Sequence, residues 1–142
     1  MSITNLKSIL QTFMDVIWNK GDFSQIETYV SEQYTIKHDP GDAWDKQTLN
    51  RETFIERVMY SRTAFPDLNF DIQEMVAEDK RVVAFWIMSG THEGALSNLP
   101  ATGRTFSISG ITIYDFDDND RVCGHTQAYD RMGFLAQMGI LG

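Results

Sequence analysis

The sequence predicts an α+β domain in which helices come first and a meander of long antiparallel strands follows. From Leu6 to Trp18, apolar residues recur at steps of three and four, which is the period of an amphipathic helix, and two further segments up to Tyr60 begin with helix-capping residues. From Asp67 onward apolar residues alternate with polar neighbours, which is the period of a strand. No repeat, linker or low-complexity stretch interrupts the chain, so we expect a single domain over residues 1–142 whose helices cover one face of the sheet.

The first half predicts three helices. Asn19, Lys20 and Gly21 end the first, Asp22 can cap a shorter helix that runs to Tyr29, and Asn50 can cap a third that covers residues 51–60 and closes near Pro66. The apolar face of the first helix consists of Leu6, Ile9, Leu10, Phe13, Ile17 and Trp18.

The second half predicts four strands. The first carries Leu68, Phe70 and Ile72, and the others cover residues 81–90, 104–116 and 121–129. Residues 78–80 and 117–120 are polar hairpin turns, whereas residues 96–103 form a longer loop. Gly90, Gly94 and Gly110 are interpreted as bends of a strongly curved sheet, and such a sheet would enclose a pocket.

Composition limits the class of partner. A formal net charge of -8 opposes binding to nucleic acid or to anionic membranes. The N-terminal residues lack the pattern of a secretion signal, and no run approaches the roughly 20 apolar residues that cross a bilayer. The single Cys123, interpreted as a small strand residue, allows no internal disulfide. We therefore expect a soluble cytoplasmic protein whose partner is a small molecule or another protein.

The last strand carries the clearest candidates for a site. Alternation places Cys123, His125, Gln127 and Tyr129 on one face, with Val122, Thr126 and Ala128 on the other. Polar side chains at 125, 127 and 129 would be costly in a dry core, so they indicate a solvated cavity or a subunit contact. Asp130 precedes a predicted helix, where it can cap the free amides or take part in catalysis.

A second candidate region is the segment from Tyr34 to Trp44, interpreted as a loop at a cavity mouth. His38 can titrate near neutral pH, or it can be an inert loop residue. Asp39 and Asp42 are interpreted as turn formers. The aromatic residues Trp18, Trp44, Trp86, Phe13 and Phe85 can wall a pocket for an apolar or aromatic ligand or fill the core, and the core is the preferred place for Phe13 and Phe85.

Other site classes find little support. His92 and Glu93 are the nearest approach to a metal motif, but three histidines without a repeated spacing do not predict a metal site. No phosphate-binding glycine loop, dinucleotide fingerprint or serine elbow is present. We therefore expect neither a metal nor a cofactor.

Several segments, taken in this order, carry a resemblance to a known family. They are Phe13 to Gly21, His38 to Trp44, Phe65 to Leu68, Gly90 to Gly94, Pro100 to Arg104, and His125 to Gly139. Over nearly its whole length the chain resembles the SnoaL-like polyketide cyclases of the nuclear transport factor 2-like superfamily. The resemblance implies a cone in which N-terminal helices pack on a curved, mainly antiparallel sheet.

The resemblance also implies a chemistry. Characterised cyclases of that group close a ring by intramolecular aldol condensation, without metal or cofactor, using a pocket carboxylate as acid and base. By resemblance that aspartate falls at Gln127, with His125 two residues before it and Asp130 three after, and a pocket aromatic falls at Trp18. A primary amide carries no proton near neutral pH, so proton transfer is assigned to His38 or His125, while Gln127 orients a carbonyl or a water.

Three hypotheses follow. The first is a cofactor-independent cyclase-like enzyme that acts on a small, largely apolar carbonyl compound. The second is a non-catalytic module that binds such a ligand in the same pocket, which Gln127 favours. The third is a protein-interaction domain, since members of the superfamily often pair through their sheets, and on that resemblance we expect a homodimer.

Overall fold

The computed structural model describes residues 3–140, with side chains from residue 5 onward. Its helices are α1 (Ile3–Phe13), α2 (Ile26–Tyr29), α3 (Arg51–Ala64) and α4 (Arg131–Gln137), and a π-helical segment, Met14–Asn19, extends α1. The strands are β1 (Val30–His38), β2 (Thr48–Leu49), β3 (Asn69–Glu78), β4 (Arg81–Thr91), β5 (Thr105–Phe116) and β6 (Val122–Tyr129).

The six strands form one sheet in the order β2-β1-β6-β5-β4-β3. Neighbouring strands are antiparallel except for β1 and β6, which run parallel, with Ile36 opposite His125. The sheet is curved and open, and its inner face packs on α1 and α3. Within residues 3–140, no helix is both long and apolar enough to cross a lipid bilayer.

The core lies between the helices and the inner face of the sheet. Leu10, Phe13 and Ile17 of the first helical segment are fully buried against Phe54 and Val58 of α3. The π-helical turn keeps Met14, Ile17 and Trp18 on the buried side. The α+β class and the four predicted C-terminal strands are confirmed.

The helix predictions need three corrections. The first helix changes to π-helical geometry after Phe13, and α3 continues to Ala64, four residues beyond Tyr60. Asp22 does not cap α2, because its carboxylate accepts from the amide and hydroxyl of Ser24 in the preceding turn. Asn50 does cap α3 as predicted, accepting from the amide of Thr53. The predicted single domain over residues 1–142 stays a prediction, and residues 1–2 and 141–142 lie outside the described part.

Two strands were missed. Residues 30–38 form β1, although the part from Tyr34 onward was interpreted as a loop, and residues 48–49 form β2, for which no element was predicted. The pairing of β1 with β6 shifts register between Ile36 and His38. Before this shift along the chain, Tyr34 and Ile36 face the core. After it, His38 is exposed and Asp39 is buried. The irregularity therefore turns Asp39 inward and His38 outward.

A second irregularity corrects the predicted faces of β6. The pairing with β5 changes register between Asp115 and Phe116, which leaves Cys123 as the extra residue. Val122 consequently lies buried with His125 instead of facing the opposite way. Gly90 and Gly110, predicted as bends, lie in an unbroken register between β4 and β5, so they do not mark bulges.

Candidate active site

One cavity of about 600 Å³ opens between the inner face of the sheet and the helices. Its wall includes all three tryptophans of the chain. The ring of Phe70 lies 5.5 Å from Trp18 and 5.1 Å from Trp86, with edge-on geometry in both pairs. Other apolar lining residues are Phe65, Leu68, Met88, Leu96, Leu99, Ile108, Phe134 and Leu135. A largely apolar, flat ligand matches such walls.

The polar end of the cavity is organised around Asp39, which is only 1% exposed. Its Oδ2 atom lies 2.8 Å from His125 Nε2 and 3.1 Å from an Arg57 nitrogen. The amide nitrogen of Gln127 lies 3.4 Å from each carboxylate oxygen. Among the described residues, Oδ1 thus has one long side-chain contact, whereas Oδ2 has two close ones. Asp39 lies at this end of the cavity because it directly follows β1, and β1 pairs with β6, which carries His125 and Gln127.

His125 is a neutral imidazole whose two nitrogens are both engaged by the protein. Its Nε2–H donates to the Asp39 carboxylate, so Nδ1 accepts from the hydroxyl of Tyr34 at 2.6 Å. Burial lowers the pKa of His125, and the hydrogen bond to Asp39 only partly opposes this. Burial also raises the pKa of Tyr34 well above its ordinary value, so the hydroxyl keeps its proton.

The positive charge of Arg57 balances the negative charges of two nearby carboxylates. Arg57 reaches from α3 to Asp39 and also to Asp42, whose Oδ2 lies 3.0 Å away. Its guanidinium carbon lies 5.4 Å from the ring centre of Trp18. Burial disfavours the charge, but the carboxylates, Asp42 foremost, raise the pKa of Arg57, so it stays a cation.

Gln127 belongs to a second hydrogen-bonded row that crosses three strands. Trp86 Nε1 lies 2.8 Å from the hydroxyl of Thr112, and that hydroxyl lies 2.7 Å from Gln127 Oε1. Thr112 and Gln127 are direct partners in the pairing of β5 with β6. Strand register therefore puts the amide of Gln127 between Thr112 and Asp39.

The structure brings most of the predicted site residues together. His125, Gln127 and Tyr129 line the cavity from β6, and Trp18, Trp44 and Trp86 line it from three other parts of the chain. Tyr129 is the last residue of β6 and also touches a shallow groove on the outer face. The roles of these residues in catalysis or binding stay predictions.

Two predicted locations, those of His38 and Phe85, need correction, whereas the predicted helix cap at Asp130 and the preferred core location of Phe13 are confirmed. His38 is exposed, and its nearest partner is the ammonium of Lys46 at 3.4 Å, so it does not line the cavity. Asp130 caps α4 by accepting from the amide of Gly133 and also lies outside the cavity. Phe13 is fully buried in the core, where it contacts Phe54 and Tyr114. Phe85, expected in the core or in a pocket wall, is 38% exposed on the outer face of the sheet.

Sequence reasoning missed the centre of the cluster. Asp39 was interpreted as a turn former, and Arg57, Tyr34 and Thr112 were not singled out. A buried arginine needs a carboxylate partner, and Arg57 lies three residues after Phe54 and next to Val58 on the buried side of α3, a spacing that was a usable signal. Within residues 3–140, no group of three or more His, Cys, Asp or Glu side chains is arranged to hold a metal ion.

The fold and cavity together define a small pocket-bearing domain of the nuclear transport factor 2-like type. The family model of the SnoaL-like polyketide cyclases matches residues 8–138. The chain therefore belongs to the SnoaL-like polyketide cyclase family. Among proteins with curated functions, none matches this chain significantly.

Solved structures agree with this assignment. A protein of Acidithiobacillus ferrooxidans, provisionally named a polyketide cyclase, is 39% identical, with 98% of each chain covered and a TM-score of 0.87. TsrD of Streptomyces laurentii is 23% identical over 99% of this chain and 98% of its own, with a TM-score of 0.82. IdmH of Streptomyces antibioticus, also provisionally named a polyketide cyclase, is 22% identical over 94% and 98%, with a TM-score of 0.78. The last two show the fold alone.

Proposed function

We propose that the protein is a cofactor-independent, cyclase-like enzyme that performs acid–base chemistry on a small, largely apolar carbonyl compound, with Asp39 as the base. One observation carries the proposal: a carboxylate lies at the polar end of an apolar cavity, beside the position where the resemblance implies an acid. The amide nitrogen of Gln127 is 3.4 Å from the carboxylate of Asp39. The charge that Gln127 lacks is thus supplied by the residue that directly follows the neighbouring strand β1.

The proposed step is removal of a proton from the carbon next to the ligand's carbonyl group. Asp39 takes the proton on Oδ1, and the C–H electron pair becomes part of an enolate. The enolate carbon can then attack a second carbonyl carbon of the same molecule to form the ring bond. Asp39 returns its proton to the alkoxide oxygen produced, so no other reactant is consumed. A positioned group of this kind contributes roughly 10²- to 10⁴-fold in rate.

His125 and Arg57 are positioning residues in this scheme. Both ring nitrogens of His125 bond to the protein, so its imidazole orients Asp39 and has no nitrogen left to exchange a proton with the ligand. Arg57 holds the same oxygen, Oδ2, which leaves Oδ1 as the oxygen for the proton. This assignment replaces direct proton transfer by His38 or His125.

Exchange of the α-protons of 1-tetralone in D2O tests the proposal. This bicyclic ketone suits the aromatic walls, and quenching of the three tryptophans reports its binding. We expect the protein to accelerate loss of the α-proton NMR signal, and Asp39→Asn to reduce the acceleration by about 10²-fold or more while binding persists.

Asp42→Asn is the matched control, since it removes one carboxylate from the same ion cluster and leaves Asp39 in place. Equal losses in D39N and D42N would contradict the role of Asp39 as base. No acceleration of exchange in the unaltered protein, at any pH at which it stays folded, would contradict the enzyme itself. A failure to bind millimolar ketone would contradict the substrate class.

A non-catalytic binding module is the second candidate, and one observation favours it. Asp39 Oδ2 is held by a guanidinium and by an imidazole N–H, so the protein itself already occupies one of the two carboxylate oxygens. This candidate predicts that 1-tetralone binds with equal affinity to the unaltered protein and to D39N, without exchange in either.

A further inference from the structure

The amide of Gln127 is held in one orientation by a chain of hydrogen bonds whose direction can be determined. The indole N–H of Trp86 can only donate, so the hydroxyl of Thr112 accepts from it at 2.8 Å. The side chain of Thr112 also has Tyr114 as a hydrogen-bond partner, so the acceptor at the far end decides the direction. The carboxylate of Asp39 only accepts, which turns the NH2 group of Gln127 toward it and leaves the other end of the amide to take the Thr112 hydroxyl proton over 2.7 Å. The atom of Gln127 that receives it is the carbonyl oxygen Oε1, and the NH2 group is turned away.

The other end of the chain agrees with this direction. The NH2 group of Gln127 lies 3.4 Å from both oxygens of Asp39, which as a carboxylate only accepts. One N–H of Gln127 serves this contact. The second N–H has no protein partner among residues 5–140, and Gln127 lines the cavity.

We propose that Gln127 is a fixed hydrogen-bond donor for the carbonyl oxygen of the ligand, and that Trp86 and Thr112 are positioning residues that set its direction. This inference rests on the proposed function for its ligand class. In this role Gln127 donates a hydrogen bond and does not accept one. An amide turned the other way would present its oxygen, which repels the carbonyl oxygen of the ligand. The donor lies beside Asp39, so one group can bind the oxygen while the other takes the proton from the adjacent carbon.

Gly110 completes the arrangement by leaving room for the indole. Trp86 and Gly110 are direct partners in the pairing of β4 with β5. A Cβ atom on Gly110 would lie 2.4 Å from the Trp86 ring, closer than such atoms approach in proteins. The small residue therefore lets the indole lie flat across β5 with its N–H at Thr112.

The test measures the carbonyl stretching frequency of bound 1-tetralone by infrared difference spectroscopy. A donated hydrogen bond lowers this frequency, so we expect a single, lowered band in the unaltered protein. Thr112→Val keeps the shape of the side chain but removes the hydroxyl, and we expect a higher frequency and a broader band. Thr112→Ser restores the hydroxyl and is expected to restore the band.

Affinity gives a second measurement, with tetralin, the hydrocarbon that lacks the oxygen, as the reference ligand. We expect Gln127→Leu to weaken binding of 1-tetralone relative to tetralin by about fivefold, the value of one ordinary hydrogen bond. A purely structural role of Gln127 would weaken both ligands alike. The T112V and T112S pair keeps the test decisive if Q127L does not fold.

The two proposals fail in different ways. An identical carbonyl band in the unaltered protein, T112V and Q127L would overturn the donor role, even if Asp39 proves to be the base. A lowered band that depends on Thr112, together with no proton exchange, would support the donor role and contradict the enzyme.

Discussion

His125 makes the stability of the fold depend on pH. Its pKa is lowered, chiefly by burial, so the folded chain resists a proton that the unfolded chain accepts near pH 6.5. Stability from the neutral imidazole is therefore complete above that pH and declines as the pH falls toward the folded pKa. The slope for one proton is at most about 1.4 kcal/mol per pH unit.

We expect His125→Gln to have a smaller loss of unfolding free energy between pH 7 and pH 5 than the unaltered protein. Urea denaturation at both pH values measures this. His38→Gln is the control, because His38 is exposed, and it should keep the original dependence. If H125Q keeps the full slope, the neutral imidazole is not its source.

Asp39 shows where residue-level prediction reached its limit. The pattern Asp-Pro-Gly-Asp correctly indicated a turn, in which the amide of Asp42 donates to the carbonyl of Asp39. Asp39 therefore forms the turn and also lines the cavity. Its side chain points inward only because of the register shift after Ile36. Such a shift depends on the neighbouring strand, which local spacing does not describe.

At the scale of elements, β5 carries Gly110, and the indole of Trp86 fills the space that a side chain would take there. We expect Gly110→Ala to lower the free energy of unfolding by about 1–3 kcal/mol, since a Cβ there meets the buried indole of Trp86. Thermal or urea denaturation checks the value. Ser109→Ala, at an exposed position of the same strand, should change it little, and an equally small effect of G110A would mean that the indole moves freely.

The elements that sequence could predict are those with strong short-range patterns. Each of the strands β3 to β6 pairs antiparallel with the strand that follows it, through two polar turns and one longer loop, so the partners in each pairing are close in the chain. The strand β1 has only three buried apolar residues, Val30, Tyr34 and Ile36, and pairs in parallel with β6, far along the chain. The evidence for β1 is its pairing with β6, which lies too far along the chain for a local sequence pattern to show.

At the scale of the whole molecule, an apolar row crosses the outer face of the sheet. Phe85, Ile111 and Ala128 are successive partners on β4, β5 and β6, and Phe85 and Ile111 are 38% and 49% exposed. An exposed row of this kind is typical of an association surface. Together with the resemblance, it supports the expectation of a homodimer through the sheet.

We therefore expect Ile111→Lys to shift the protein from dimer to monomer, because it places a charge in the middle of that row. Sedimentation velocity at several concentrations measures the change. Met59→Lys changes an equally exposed apolar residue on α3 and should leave the dimer intact. An unaltered protein that sediments as a monomer at every concentration would refute the expectation.

The parallel pairing of β1 with β6 also bears on how the chain acquires its structure during synthesis. Asp39 and His125 are 86 positions apart, so the hydrogen bond between them cannot form until β6 has left the ribosome. Until then β1 has only the two residues of β2 beside it, and its other edge is open to pairing with other chains. Contacts between such distant segments form slowly. The step that completes the cavity is thus also the step that covers the open edge of β1 in the nascent protein.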